Sequence, residues 1–305
     1  MIKGRGIKFG VIGTGAMGKN HGRIASTLAG LNLVGVSDIN LPSAEEFAAP
    51  LKIKAFGDYK DLLPLTEALS IATPTLTHFS IASDCLNAGR HVLLEKPFTG
   101  SAATARSIIN LAQQKGLILT AGLIERYNPA FQRLLKEIKG EKIIGVDIKR
   151  LSPFPERIAD TDVIFDMMLH DLDLLLQIVP DEIIDIQAKG EKIRTKMIDR
   201  AIVSLTHKSG TISRIEASRV FSSRTRKITV TTEKFLIEAD LLNKTIYIRD
   251  FSSPTPSTLP VKPVDQLTEE LKDFIRSIKQ KGVPTISHND ILRTLTLAEE
   301  VKKAC

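Results

Sequence analysis

Short, continuous apolar runs recur through the first 123 residues: Ile7 to Ile12, Leu33 to Val36, Ala68 to Ala72, His91 to Leu94 and Leu117 to Ala121, with helix-length segments between them. Runs that are apolar throughout suit strands covered on both faces, so this spacing predicts βαβ units and a doubly wound parallel sheet. Past Asn128 the pattern changes to a helix, a strand near Ile143 to Lys149, a long apolar helix from Asp162 to Val179, and then extended runs. Residues Ala201 to Asp250 contain no helix-sized interruption, which predicts antiparallel strands in an α+β second domain. The stretch Ser252 to Pro263, rich in proline and serine, reads as a loop before two amphipathic helices over 265–281 and 288–303.

At 305 residues the chain exceeds what one simple core usually organises, which suits a division into residues 1–123 and 124–305. Its 42 Lys and Arg against 35 Asp and Glu leave a net charge of +7. The basic residues are spread along the chain and no nucleic-acid-binding module is visible, so the expectation is no nucleic-acid partner. A phosphorylated small substrate is a narrower use for the charge. Two cysteines, Cys85 and Cys305, argue against a disulfide framework and for a reducing compartment. Met1 to Gly6 lead straight into the first strand pattern, and no apolar run approaches the roughly 18 residues that span a bilayer. A cytoplasmic protein with no membrane partner is expected.

Gly13-Thr14-Gly15-Ala16-Met17-Gly18 fits G-x-G-x-x-G, a weak signal alone. Here it directly follows an apolar strand and precedes Lys19 to Leu28, which can form a helix whose N-terminal amides would face a pyrophosphate. Gly13 permits the tight turn, Gly15 lets a phosphate approach the backbone, and Gly18 lets helix and strand pack closely. Asp38 closes the second strand, where a carboxylate accepts hydrogen bonds from ribose hydroxyls and repels a 2′-phosphate. No arginine follows it, so the motif predicts a Rossmann domain that takes NAD in preference to NADP.

Two further groups carry chemistry. Glu95-Lys96-Pro97 follows an apolar strand, at the carboxyl end where ligands of doubly wound sheets bind. Lys96 could hydrogen-bond a substrate oxygen and share in proton transfer, or simply form a surface turn whose Pro97 could be cis. On the apolar helix, Asp166 and His170 are four apart and share a face. A buried carboxylate beside an imidazole suits a general base that takes an alcohol proton as hydride leaves. A structural Asp-His pair is one alternative, and metal ligation by Asp166, His170 and Asp173 another; with no further ligand motif the expectation is no metal.

Together, Gly13 to Gly18 followed by Asn20-His21, the Glu95-Lys96-Pro97 triplet, the Asp166-x-x-x-His170 helix and the extended C-terminal region resemble the glucose-fructose oxidoreductase and inositol dehydrogenase family, Gfo/Idh/MocA. The resemblance spans essentially the whole chain. It implies a Rossmann domain followed by a substrate domain whose open sheet mediates homodimers or homotetramers. It also implies that Lys96 is the catalytic lysine, Asp166 the substrate-site acid and His170 the acid/base histidine, with Thr73, Pro74, His78 and Glu95 lining the cofactor. The segments 122–129 and 166–173 are similar to the subgroup of UDP-N-acetylglucosamine 3-dehydrogenases, which oxidise a sugar 3-hydroxyl with NAD on the way to a diamino sugar for lipid A. Met168 stands where many family members have glycine, and Leu123 where the subgroup often has histidine. A nucleotide sugar would draw on Arg126, Tyr127 and Asn128 near the sugar, and on Arg126, Arg150, Arg157 or Arg219 for its pyrophosphate. Another sugar or polyol dehydrogenase, acting on inositol or a free aldose, and a non-enzymatic NAD sensor are the remaining readings.

Overall fold

The computed structural model describes residues 6–155, 161–253 and 255–305, so Arg157 and Met1 to Arg5 lie outside the described residues. The fold has two compact units. The first contains the chain up to Leu123 together with Leu267–Leu292, and the second Ile124–Gln266 with Arg293–Cys305.

In the first unit, strands and helices alternate: β1 (Ile7–Ile12), α1 (Ala16–Ala25), β2 (Leu31–Ser37), α2 (Leu41–Ala48), β3 (Lys54–Phe56), β4 (Ala68–Ile71), α3 (Thr75–Asn87), β5 (His91–Glu95), α4 (Ala102–Gln114) and β6 (Leu119–Gly122). All strands are parallel, in the order β3-β2-β1-β4-β5-β6. The central strands are buried along almost their whole length, which is why they read as continuous apolar runs. The order reverses between β1 and β4, and such a switch point opens a crevice at the carboxyl ends of the strands. The edge strand β3 escapes the sequence reading because its three residues are half-buried or exposed and carry no apolar run.

The second unit begins with a 3₁₀ turn, Ile124–Tyr127, followed by α5 (Pro129–Glu137) and β7 (Ile143–Leu151). A π-helical turn, Ile164–Met168, leads into α6 (Leu169–Ile178). Strands β8 (Ile183–Glu191), β9 (Arg200–His207), β10 (Ile212–Ser218), β11 (Thr225–Thr232), β12 (Phe235–Asp240), β13 (Thr245–Asp250) and β14 (Ser257–Leu259) complete a sheet ordered β14-β13-β12-β11-β7-β10-β9-β8. Among the described residues only β7 and β10 pair in parallel. The short β14 lies inside the stretch expected to be a loop.

Register explains how this sheet makes a core. Val203, Ile215, Ile148, Ile228, Ala239 and Ile246 stand side by side across six strands and are all buried. The neighbouring row on the opposite face carries Glu216, Lys149, Lys227 and Asp240. One face is therefore packed and the other polar, as alternation in an antiparallel sheet requires. Helix α6 lies near β7 and β10 and buries nine of its ten residues, its leucines and Ile178 together with His170, Asp171 and Asp173.

Two helices follow: α7 (Gln266–Gln280) and α8 (His288–Ala304). A single division after residue 123 would place both in the second domain. Instead, Leu267–Leu292 packs with the first unit, with Thr120 Oγ1 donating to the Ile286 carbonyl and His288 meeting the Leu119 carbonyl. Cys85 is buried and Cys305 exposed, and both are free thiols. No helix among the described residues is long and apolar enough to cross a membrane.

Candidate active site

The glycine loop is dictated by space. Gly13 has φ +93°, a left-handed conformation that glycine adopts without steric cost. A Cβ at Gly18 would lie 1.8 Å from the Gly13 carbonyl oxygen, so α1 can approach β1 only through a glycine there. A Cβ on Gly15, in contrast, would meet nothing within 4 Å. Gly15 is also the N-cap of α1, with no side chain capping the helix and no acid in its first turn. The free amides at this ten-residue helix and the open face at Gly15 fit a dinucleotide pyrophosphate.

Asp38 flanks this loop. Its Oδ2 accepts the Thr14 amide at 2.7 Å and the Thr14 hydroxyl at 2.9 Å, and its Oδ1 accepts the Asn40 amide at 2.9 Å. Partial burial pushes the Asp38 carboxyl up, but these hydrogen bonds outweigh it and hold the group below the usual carboxylate range. Ile39, the next residue, is 99% exposed, and Leu76 at the start of α3 is 92% exposed. Neither belongs to the glycine motif; the one mark of Ile39 in the sequence is an apolar residue directly after the acid that follows β2.

At the end of β5, Glu95 accepts from His21 Nε2 at 2.8 Å on one oxygen and from the Lys96 amide at 3.1 Å on the other. His21 is buried in α1 and its Nδ1 meets Ser70 Oγ at 3.1 Å. The Lys96-Pro97 peptide is cis. His78 is fully buried, with Nδ1 2.9 Å from the Pro97 carbonyl and Nε2 2.9 Å from the Thr73 carbonyl. His78 thus sits between the loops at Thr73 and Pro97, two segments expected on the cofactor side. Thr73 itself is half-buried and Pro74 exposed.

In the second unit, Asp162 starts the apolar helix by accepting the amides of Ile164 and Phe165, each at 3.1 Å. Within this helix the turn that carries Asp166, Ile164–Met168, is π-helical. A turn that closes i→i+5 still leaves residues four apart on one side of the axis, so Asp166 and His170 keep a common face. Asp166 is half-buried and His170 borders on full burial.

Around this helix lies an ionic network that sequence reasoning did not assemble. Arg150 donates through Nε to Asp171 at 2.9 Å and through Nη1 to Glu125 at 3.1 Å. Arg226, opposite Arg150 in the sheet, donates to the same Glu125 oxygen at 2.9 Å. Burial raises the Glu125 carboxyl, but Arg150, His170 and Arg226 overcome it and hold it down at about 2.

Arg126 donates through Nε and Nη2 to the two oxygens of Asp173, both at 2.7 Å, with each side chain buried. Asn128 is buried as the N-cap of α5, accepting the Ala130 amide at 3.0 Å and donating to Glu125 at 3.1 Å and to the Leu241 carbonyl at 3.0 Å. Arg219 is buried against Asp199. Arg126, Asn128, Arg150 and Arg219 are thus each buried within the second unit and engaged with internal carboxylates or backbone groups. Asp173 also accepts from the Thr294 hydroxyl at 3.3 Å. Tyr127 is half-buried.

Comparison with known proteins agrees with this geometry. Residues 7–123 match the model of an oxidoreductase family with an NAD-binding Rossmann fold, and residues 149–238 match the Gfo/Idh/MocA C-terminal domain. A UDP-N-acetylglucosamine 3-dehydrogenase from Acidithiobacillus ferrooxidans is 35% identical over 89% of this chain and 88% of its own. Its crystal structure superposes with a TM-score of 0.92, at 34% identity over 98% of each chain. A myo-inositol 2-dehydrogenase from Thermotoga maritima is 26% identical over 98% of this chain and 96% of its own. The chain belongs to the Gfo/Idh/MocA family and is an NAD-dependent oxidoreductase.

Proposed function

We propose that the protein oxidises the 3-hydroxyl of UDP-N-acetylglucosamine to a ketone, the oxidation that precedes amination in diamino-sugar synthesis for lipid A. The observation that carries this reading is the likeness to the Acidithiobacillus enzyme, which runs over nearly the full length of both chains. The chain also keeps Lys96, Asp166 and His170, the residues that its family resemblance marks as reactive.

In this reading the loop Gly13-Thr14-Gly15-Ala16-Met17-Gly18 holds the pyrophosphate of NAD, Asp38 takes the adenosine ribose, and Ile39 and Leu76 offer their exposed apolar side chains to the adenine. Thr73, Pro74 and Glu95 belong to the cofactor side of the site. Bound NAD supplies a hydride acceptor. His170 takes the proton of the reacting hydroxyl, Lys96 steadies the oxygen as charge develops, and Asp166 fixes the sugar's orientation. Tyr127 is the remaining substrate contact of the 126–128 segment. The polar outer face of the large sheet, with Ile212 and Tyr247 exposed on it, serves homodimer or homotetramer formation, which light scattering of the purified protein measures.

The test is nicotinamide reduction with NAD and UDP-N-acetylglucosamine, with hydroxylamine to trap the ketone, against inositol, glucose and NADP. Turnover with the nucleotide sugar alone supports the reading. One observation favours a second: Arg126, Arg150 and Arg219 are committed to internal carboxylates, as expected if the substrate is a free polyol with no pyrophosphate to bind. Turnover of inositol with silence toward the UDP-sugar would establish that alternative. Loss of turnover in Lys96→Met and His170→Ala, with NAD binding intact, checks the assigned roles in either case.

A further inference from the structure

Glu270, on α7, is 1% exposed, and neither of its carboxylate oxygens has a hydrogen-bond partner among the described residues. It points at His21 and Glu95: one donor atom from each of the three residues falls within 4.8 Å of the other two. Gly122, beside Glu95 in the sheet, leaves room for the Glu95 carboxyl, because a Cβ there would lie 2.9 Å from it. Two buried carboxyl groups this close cannot both be ionised without a large cost, unless a cation or a proton joins them. A cation held by all three residues would have to take a ring nitrogen of His21 from its present partner, Glu95 at 2.8 Å on Nε2 or the Ser70 hydroxyl at 3.1 Å on Nδ1. A proton displaces neither, since a carboxylate has lone pairs to spare once it accepts two hydrogen bonds.

We propose that Glu270 is held in its neutral acid form and acts as a positioning residue, donating a hydrogen bond to Glu95 and thereby fixing the backbone of Lys96. An ionised Glu270 would set one acceptor against another; a protonated one joins the chain Ser70, His21, Glu95, Lys96 amide as a fifth member from the far end of the sequence. The groups that face it agree. Glu95 from β5 and Asp273 on its own helix are acids, His21 from α1 gives its Nε2 to Glu95, and no lysine or arginine among the described residues makes an ion pair with Glu270. Burial, with the charges of Glu95 and Asp273, raises the Glu270 carboxyl well above the usual range. The catalytic consequence rests on the reading of Lys96 under Proposed function; the protonation state does not.

The experiment compares wild type, E270Q and E270L. Infrared difference spectra of wild type against E270Q at neutral pH are expected to contain the carbonyl stretch of a protonated carboxylic acid. E270Q, whose amide can still donate to Glu95, keeps turnover close to wild type, while E270L, of similar size but without a donor, loses about tenfold in kcat at unchanged NAD affinity. A carboxyl held neutral contributes stability below its titration and loses it above, so wild-type turnover falls as pH rises through that titration and E270Q turnover does not. Absence of the acid band, or one divalent metal ion per chain that E270Q lacks, overturns the proposal. Wild-type turnover in E270L overturns the positioning role even with the band present. Failure of the Lys96 reading shows separately, as an active Lys96→Met variant.

Discussion

Asp38 binds Thr14 twice, through its amide at 2.7 Å and its hydroxyl at 2.9 Å, both on one carboxylate oxygen. The acid that faces the ribose position in a Rossmann domain therefore also fixes the second residue of the glycine loop. Replacing it disturbs the ribose and phosphate contacts together. Asp38→Ala should raise the KM for NAD by roughly tenfold or more, the loss of hydrogen bonds to a charged group, with a smaller effect on kcat. It should also narrow the preference over NADP, because the repelling charge is gone. Initial rates with both cofactors check this; an unchanged KM for NAD would remove Asp38 from the cofactor site.

Gly15 and Gly18 look alike in the motif and differ in the fold. A Cβ on Gly18 collides with the Gly13 carbonyl, whereas one on Gly15 enters open space. Gly18→Ala should therefore lower the melting temperature and weaken NAD binding together. Gly15→Ala should melt like wild type and still bind NAD at least tenfold more weakly, since its methyl group occupies the space a phosphate needs. Calorimetric titration with NAD beside thermal melts of the two variants separates the outcomes.

This contrast marks what the sequence made legible. Strand β1, the glycine loop and Asp38 are contiguous or evenly spaced, so local pattern carries them. The same holds for the Asp166 and His170 helix, whose apolar surroundings announce burial. What stayed hidden depends on contacts between distant positions. Arg126 and Asp173 are 47 residues apart, and the charge of an isolated arginine says nothing about which carboxylate will neutralise it. Glu270 lies in an ordinary amphipathic helix, and only the return of α7 to the first unit turns it toward Glu95. The π turn leaves no mark on the 3.6-residue period, and β3 has too few buried residues to show a period at all.

Arg126 supplies a third test because two roles predict opposite readouts. As the buried partner of Asp173, its removal leaves an uncompensated carboxylate inside the fold. Arg126→Met should then cost about 3 to 5 kcal/mol in stability, and the double variant Arg126→Met with Asp173→Leu should recover much of that. A substrate-phosphate role predicts the reverse, a raised KM for the nucleotide sugar with stability unchanged. Urea unfolding of the single and double variants decides.

Glu125 offers a prediction in pH. Its carboxyl falls from the ordinary value of 4.5 to about 2, with burial opposing and Arg150, His170 and Arg226 prevailing. A depressed folded value stabilises the protein above the unfolded value, and the contribution disappears as pH falls from 4.5 toward the folded one. Glu125→Gln cannot ionise and never has this contribution. At neutral pH the variant should be less stable than wild type by an amount on the order of 3 kcal/mol. The gap should hold down to the ordinary carboxylate value and then close with further acidification. Urea denaturation midpoints at a series of pH values measure it directly. A gap independent of pH would mean that Glu125 stabilises through packing and neutral hydrogen bonds, not through the charges of its arginines.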